Sequence, residues 1–303
     1  AIIDLHGCNG VMGRQTQWAR KFISWGYMFV VVDSLRSRGV DNVCKDYYRV
    51  PTFQRAIDAH TVKTYIQKNF KNIDKKSISI FGFSHGATSV LDSLYDSMGN
   101  NENPFKYAIA FSPWCSGLYT KINTKYTKLM IIVGESDTWT PPDRCKKMLT
   151  TNPDNYTLHI LKGAYHSFDG MMDVQSYQGH TIGHNQKATN ESYVHMEKFL
   201  SINKCSFGAY EVLRTNKKIT LTILASGSEV NLAIETSHKL AKDKIYAKVI
   251  SVPSQEIFEQ QTETYKNDVL NEANFTITIE ASSTDSWHKF IKSKGINFGI
   301  NDF

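Results

Sequence analysis

Short apolar runs separated by longer amphipathic ones recur along this chain, and that alternation restricts the fold more than any other feature. Ala1–Leu5, Tyr27–Val32, Ser77–Phe81, Tyr107–Phe111, Leu129–Val133 and Thr157–Leu161 have the length of strands, and several are apolar throughout. Strands of that kind are buried on both faces, as in a parallel sheet. Helix-like stretches lie between them at Thr16–Trp25, Phe53–Asn69, His85–Asp96, Pro142–Leu149 and Ser192–Leu200. Strand, helix and strand in this order predict an α/β sheet with helices on both faces. The rhythm then restarts, with strands at Ile219–Leu224, Ala247–Val252 and Phe275–Glu280 and a helix at Val230–Lys242. A chain of 303 residues has room for two domains. We expect the boundary at Asn203–Phe207, dividing the chain into 1–204 and 205–303.

Composition narrows the class. Hydrophobic residues at 41% and charged residues at 21% are those of a globular protein, and no apolar run approaches the ~20 residues of a membrane helix. The net charge of +6 is spread over separate lysine pairs, Lys75-Lys76, Lys146-Lys147 and Lys217-Lys218, which reads as solvated surface and not as a nucleic-acid patch. The five cysteines contain no C-x-x-C pair, which argues against structural zinc; their odd number leaves at least one thiol free or paired between chains. An oxidising compartment permits a disulfide among the first four, though the sequence does not demand one, and Cys44 reads as structural. The chain opens on a core strand without Met and stops at INFGINDF without a cap, so it is expected to be a fragment at both ends.

The chemistry begins at Gly82-Phe83-Ser84-His85-Gly86, a G-x-S-x-G spacing between an apolar run and a helix-like run. This spacing suits a serine on a strained strand-to-helix turn, with glycines that let neighbouring backbone pass close by. A serine hydroxyl needs a base to take its proton, usually a histidine oriented by a carboxylate. Asp137 follows the strand LMIIV, His166 follows the strand TLHIL, and α/β sheets place their sites at such C-terminal strand ends. An oxyanion hole needs two backbone N–H groups. His6-Gly7-Cys8-Asn9-Gly10 follows the first strand and offers the N–H of Cys8; the residue after the serine, His85, offers the other. Arg36 and Arg38 are candidates to bind a substrate carboxylate, with loop bracing as the alternative, and Trp139 lines the pocket or packs its loop. Glu135 is an alternative acid to Asp137. His180 and His184 are spaced for metal chelation, but Gly179 and Gly183 argue against a helix there and no third ligand is evident, so no metal is expected.

With HGCNG, Trp18-Ala19-Arg20, VVDSLRSRGVDNVC, GFSHGA, GESDTWTPP and GAYHSFD in that order, residues 1 to about 204 resemble the dienelactone hydrolase family of α/β-hydrolases. The resemblance is to its serine-bearing members, and implies Ser84 as nucleophile, Asp137 as acid and His166 as base. The name-giving enzyme carries a glutamate on the loop that here reads HGCNG and a cysteine nucleophile; both are replaced, so an ester or similar activated acyl compound is the expected substrate in place of dienelactone.

From about Phe207 onward, GAYEVL, ITLTILASGSEVNLAIE, AKVISVPSQEIFEQQTETYKNDVL and TITIEASSTDSWHKF resemble the C-terminal domain of transketolase, implying a smaller three-layer α/β domain. No GDG motif with paired asparagines is present, so neither thiamine diphosphate nor any other cofactor is expected. Ser226-Gly227-Ser228-Glu229 between strand and helix offers two readings, an anion loop or a cap in which Ser226 or Ser228 holds the helix start; we expect the cap. The chain as a whole reads as a serine-dependent ester hydrolase joined to a domain without activity of its own, which is a candidate for subunit association. The alternative is a non-catalytic binding or scaffold module, or a truncated chimera. The expected partner is a small ester, with no nucleic acid and no membrane. The two halves leave localisation open, because transketolases are cytoplasmic and hydrolases of this kind are sometimes exported.

Overall fold

A computed structural model describes residues 1–115, 122–151, 156–200, 207–215, 217–281, 283–291 and 294–300. The chain divides into two compact units, Ala1–Ile202 and Asn203–Phe303. Apart from Phe207, the expected boundary segment lies outside the described residues, as does Cys205.

The first unit is built on six strands, β1 (Ile2–Leu5), β2 (Phe29–Val32), β3 (Ser79–Phe83), β4 (Tyr107–Phe111), β5 (Lys128–Gly134) and β6 (Tyr156–Leu161). They form one sheet in the order β2-β1-β3-β4-β5-β6, every pair parallel. Parallel strands need crossovers, and five helices supply or flank them: α1 (Gly13–Ser24), α2 (Thr52–Asn69), α3 (His85–Asp92), α4 (Pro142–Thr151) and α5 (Gln186–Phe199). Side chains alternate across the strands. Ile3, Leu5, Ile80, Ala108 and Ile131 pack with Ala59 and Ile66 of α2, Val90 and Leu91 of α3 and Cys145 of α4. Ile2, Phe81, Phe83, Ile109 and Ile132 pack on the other face with Trp18 and Phe22 of α1 and Met196 of α5. The expected α/β fold with both faces covered is present.

Several boundaries differ from expectation for local reasons. β3 starts two residues late because Ser77 is held in a turn by Asp74, through both its N–H and its hydroxyl, and ends two residues late because Gly82 and Phe83 still pair with Leu5 and Phe111. Ser84 therefore follows the strand directly. The helix after it stops at Asp92, four residues early; Ser89 and Ser93 bond back to the carbonyls of His85 and Val90, which disturbs helical continuation. α5 starts six residues early, because the side chain of Asn185 accepts the N–H of Ala188 as an N-cap. A hairpin of β7 (Gln175–Tyr177) and β8 (His180–Ile182) occupies a stretch read only for its histidines.

The second unit holds β9 (Tyr210–Leu213), β10 (Leu221–Ala225), β11 (Ala247–Ser251), β12 (Phe275–Ile279) and β13 (Gly295–Phe298) in the order β13-β12-β10-β11-β9, with β9 antiparallel to β11 and the rest parallel. Helix α6 (Glu229–Lys242) covers one face through Ala233, and α7 (Gln255–Glu259) and α8 (Glu263–Leu270) cover the other through Phe258 and Tyr265. The expected serine cap does not form. Ser228 is itself in a right-handed helical conformation (φ −64°, ψ −28°), so its hydroxyl turns to Glu229 at 2.8 Å, and the hydroxyl of Ser226 is taken by Glu280 at 2.5 Å. Among the described residues, no helix is long and apolar enough to cross a membrane.

Trp18 ties the first unit together. It is fully buried against Phe22, Phe81, Phe111 and Tyr193, and its indole N–H donates to Asp169 at 2.8 Å. Replacing it with alanine removes both the aromatic volume and a donor to a buried carboxylate. Trp18→Ala is expected to lower stability by about 3–5 kcal/mol; a loss under about 1 kcal/mol in urea denaturation followed by circular dichroism would contradict this packing.

Candidate active site

Three strand ends converge. Ser84 caps α3 with φ 53° and ψ −117°, a backbone conformation that a non-glycine residue rarely adopts, and its N–H is fixed to the carbonyl of Phe111 at 2.8 Å. The flanking glycines are needed for space. A Cβ on Gly86 would lie 1.8 Å from the carbonyl oxygen of Leu5, and one on Gly82 would lie 2.5 Å from that of Gly86. With no side chain at either position, α3 begins directly against the end of β1, and Ser84 projects from the sharp turn between β3 and α3.

His166 lies on the loop after β6, and its Nε2 is 3.0 Å from the Ser84 hydroxyl. Its Nδ1 is 2.8 Å from Oδ2 of Asp137, on the loop after β5. Because a carboxylate only accepts, Nδ1 carries the proton and Nε2 faces the serine as an acceptor. All three side chains are nearly buried; Ser84 is 7% exposed. Asp137 is held from three further directions: its Oδ1 accepts the N–H groups of Trp139 (3.0 Å) and Thr140 (2.8 Å), and its Oδ2 accepts the Thr140 hydroxyl (2.9 Å). Burial pushes the Asp137 pKa up, but the His166 charge and hydrogen bond and the two Thr140 hydrogen bonds outweigh it, and the net shift is downward. Thr140 was not legible as a site residue; its signal is an Asp followed three residues later by Thr, a spacing for local side-chain bonding.

The remaining sequence candidates separate. Glu135 turns away from the imidazole to accept the N–H of Gly163 at 3.0 Å. The guanidinium of Arg38 forms a two-pronged pair with Asp58 (2.8 and 2.9 Å) and also donates to the Ser34 carbonyl, so its fork is committed to bracing. Arg36 is largely exposed and lies 3.9 Å from Asp33. Trp139 tilts over His166 at 5.2 Å between ring centres and stacks on His180, and it packs against the apolar cluster that contains Cys8 and Cys44. His180 meets Thr138 and His184 meets Gln186; among the described residues no group of three metal-binding side chains occurs.

Two disulfides join the first four cysteines, Cys8–Cys44 and Cys115–Cys145. The first links the loop after β1 to the loop ahead of α2, and the N–H of Val43 donates to the Cys8 carbonyl at 2.8 Å. The loop that offers the Cys8 amide is thus fixed covalently and by hydrogen bonding. Beside it a cavity of about 280 Å³ opens between Gly7, Asn9, Met12, Phe83, Ser167 and Met171. It touches the residue before Ser84 and the residue after His166.

A family model described as platelet-activating factor acetylhydrolase, isoform II, matches residues 54–216, and one described as transketolase-like TK C-terminal domain matches residues 208–303. Among solved structures, a Klebsiella pneumoniae protein assigned as a dienelactone hydrolase aligns with TM-score 0.53 at 15% identity, over 66% of this chain and 85% of that one. A dienelactone hydrolase-like promiscuous phosphotriesterase from metagenomic libraries aligns with TM-score 0.50 at 17% identity, over 66% and 84%. At these identities the likeness is one of fold. The transketolase of Staphylococcus epidermidis is 41% identical over 97 residues, and that of Bacillus subtilis 41% over 98, each covering 32% of this chain. The chain spans about 15% of the length of these curated relatives.

Two outcomes test the geometry. Gly86→Ala is expected to abolish folding of the first unit or to destabilise it by more than about 3 kcal/mol, since backbone must move; a variant with unchanged melting temperature would contradict the close approach to β1. The depressed pKa of Asp137 gives a stabilising contribution that is present above the ordinary carboxylate range and lost as pH falls through its folded value. Asp137→Asn should therefore flatten the acid limb of the stability profile, and an unchanged limb in melts from pH 7 to pH 3 would reject that assignment.

Proposed function

The chain belongs to the platelet-activating factor acetylhydrolase, isoform II, family, and on that premise we propose that it is a serine-dependent hydrolase of short-chain carboxylic esters. The observation that carries this reading is the continuous hydrogen-bonded line from the Ser84 hydroxyl through His166 to Asp137, with distances of 3.0 and 2.8 Å. Such a line is the requirement for activating a serine hydroxyl near neutral pH.

Ser84 Oγ attacks the acyl carbon while its proton passes to His166 Nε2. Asp137, accepting from Nδ1–H, stabilises the imidazolium that results. The amides of Cys8 and His85 receive the oxyanion, and losing one such donor typically costs about 3 kcal/mol. The intermediate collapses to an acyl-enzyme on Ser84 as the proton on Nε2 is delivered to the departing alcohol. Water then attacks the acyl carbon, gives its proton to Nε2, and the acid leaves as Ser84 recovers it. The adjoining cavity is lined by Met12, Phe83 and Met171 together with the polar Asn9, Arg14 and Gln15, and its volume of about 280 Å³ suits a short acyl group. Trp139 serves as the wall over the imidazole. Arg36 and Arg38 have no part in the reading, and neither does the second unit, which remains a candidate for subunit association.

Ser84→Ala is expected to reduce turnover of p-nitrophenyl acetate by at least about 10⁴-fold while leaving the fold intact. A fluorophosphonate probe should label the wild-type chain at Ser84. Undiminished turnover in the variant, or labelling at another residue, would favour the non-catalytic reading.

A further inference from the structure

Helix α2 presents Arg55, Ala59, Lys63 and Ile66 to the interior, so two cations interrupt a stripe that is otherwise apolar. Lys63 ends on the carbonyls of Asn103 and Pro104, away from the site. Arg55 is fully buried, and its two terminal nitrogens reach two different elements. Nη2 donates to the carbonyl of His6 at 2.7 Å, and Nη1 donates to Nδ1 of His85 at 2.8 Å. His6 leads into the loop that carries the Cys8 amide, and His85 carries the other proposed oxyanion amide. One guanidinium therefore bridges both halves of the hole.

The protonation pattern agrees with this bridge. An arginine can only donate, so His85 Nδ1 must be the unprotonated nitrogen. Burial first, and then the Arg55 charge, lowers the His85 pKa to about 3, and the same two causes lower that of His6 to about 4. Both rings are neutral at pH 7. Burial lowers the Arg55 pKa only to about 10, so it stays a cation. Against that burial the charges of Asp4 first, and then of Asp58 and Asp33, help to hold it protonated.

We propose that Arg55 is a positioning residue of the oxyanion hole: it holds the His6 carbonyl and the His85 imidazole so that the Cys8 and His85 amides converge, and its charge favours the oxyanion as it forms. This rests on the ester-hydrolase reading of Ser84. The role belongs to the chemical step and not to substrate binding, so it separates kcat from KM.

The test uses the full chain. In wild type, nitrogen NMR of the histidines at pH 7 should show one ring, assigned by His85→Gln, with Nδ1 unprotonated and Nε2 protonated; the opposite tautomer for that ring would overturn the bridge. In Arg55→Met, kcat on p-nitrophenyl acetate should fall about 100-fold with KM within about threefold, and Arg55→Lys, which keeps the charge but not the fork, should recover about tenfold of that loss. Labelling of Ser84 by the fluorophosphonate should slow in parallel. A kcat unchanged in Arg55→Met, or a loss shared equally by KM, would overturn the proposal while leaving the Ser84 mechanism standing. Full turnover in Ser84→Ala would overturn both. If Arg55→Met fails to fold, the Arg55→Lys variant decides: wild-type kcat in it would reject a role for the fork.

Discussion

The close approach of α3 to the end of β1 is the constraint on which the site depends. Gly86 lies against the carbonyls of Leu5 and His6 with no room for a methyl group. That approach sets Ser84 in its turn and places the positive end of α3 beside the loop after β1. A single backbone contact thus positions the proposed nucleophile beside the loop that offers a proposed oxyanion donor. The parallel sheet makes the contact possible, because β1 and β3 are neighbours in register, Leu5 beside Gly82. Were the strand order different, neither the loop HGCNG nor the turn at Ser84 would have the other within reach.

The rest of the site is attached to this frame by a succession of contacts. Asp137 is held by two amides and a hydroxyl before it meets His166, so the carboxylate acts as a fixed point from which the imidazole is aimed. His166 is sandwiched by Phe83 and Trp139 at ring separations of 5.0 and 5.2 Å. Deeper still, Arg14 lies over Phe83 at 3.4 Å and within 3.4 Å of Asp169, whose other partner is Trp18. The aromatic core and the hydrogen-bonded line of Ser84, His166 and Asp137 are therefore consecutive parts of one packed column.

Part of this column could be read in the sequence, where local pattern and chemistry coincide; Arg14 and Asp169 could not. The strands were legible from apolar runs, and Ser84, Asp137 and His166 from their places after those runs. What escaped has physical reasons. The hairpin at Gln175–Ile182 is short and exposed, so it carries no apolar alternation. The cysteine pairing is a matter of three-dimensional proximity, and four cysteines allow three pairings. Arg55 looked like an ordinary helix cation; only its place on the same stripe as Ala59 and Ile66 hinted that it points inward. The serine cap of α6 failed because a glycine with φ 52° turns the chain before Ser228 can adopt the extended conformation of a capping residue.

The Cys8–Cys44 bond closes a loop across 36 positions. In chain-entropy terms such a cross-link removes roughly 3–4 kcal/mol of freedom from the unfolded ensemble. That closure falls on the segment containing α1 and β2, the first crossover of the sheet, and one of its two ends, Cys8, is the residue whose amide is proposed as an oxyanion donor. On the proposed mechanism, a chain whose Cys8 and Cys44 thiols are reduced carries every residue of the site and yet lacks the covalent tether that fixes the loop offering the Cys8 amide.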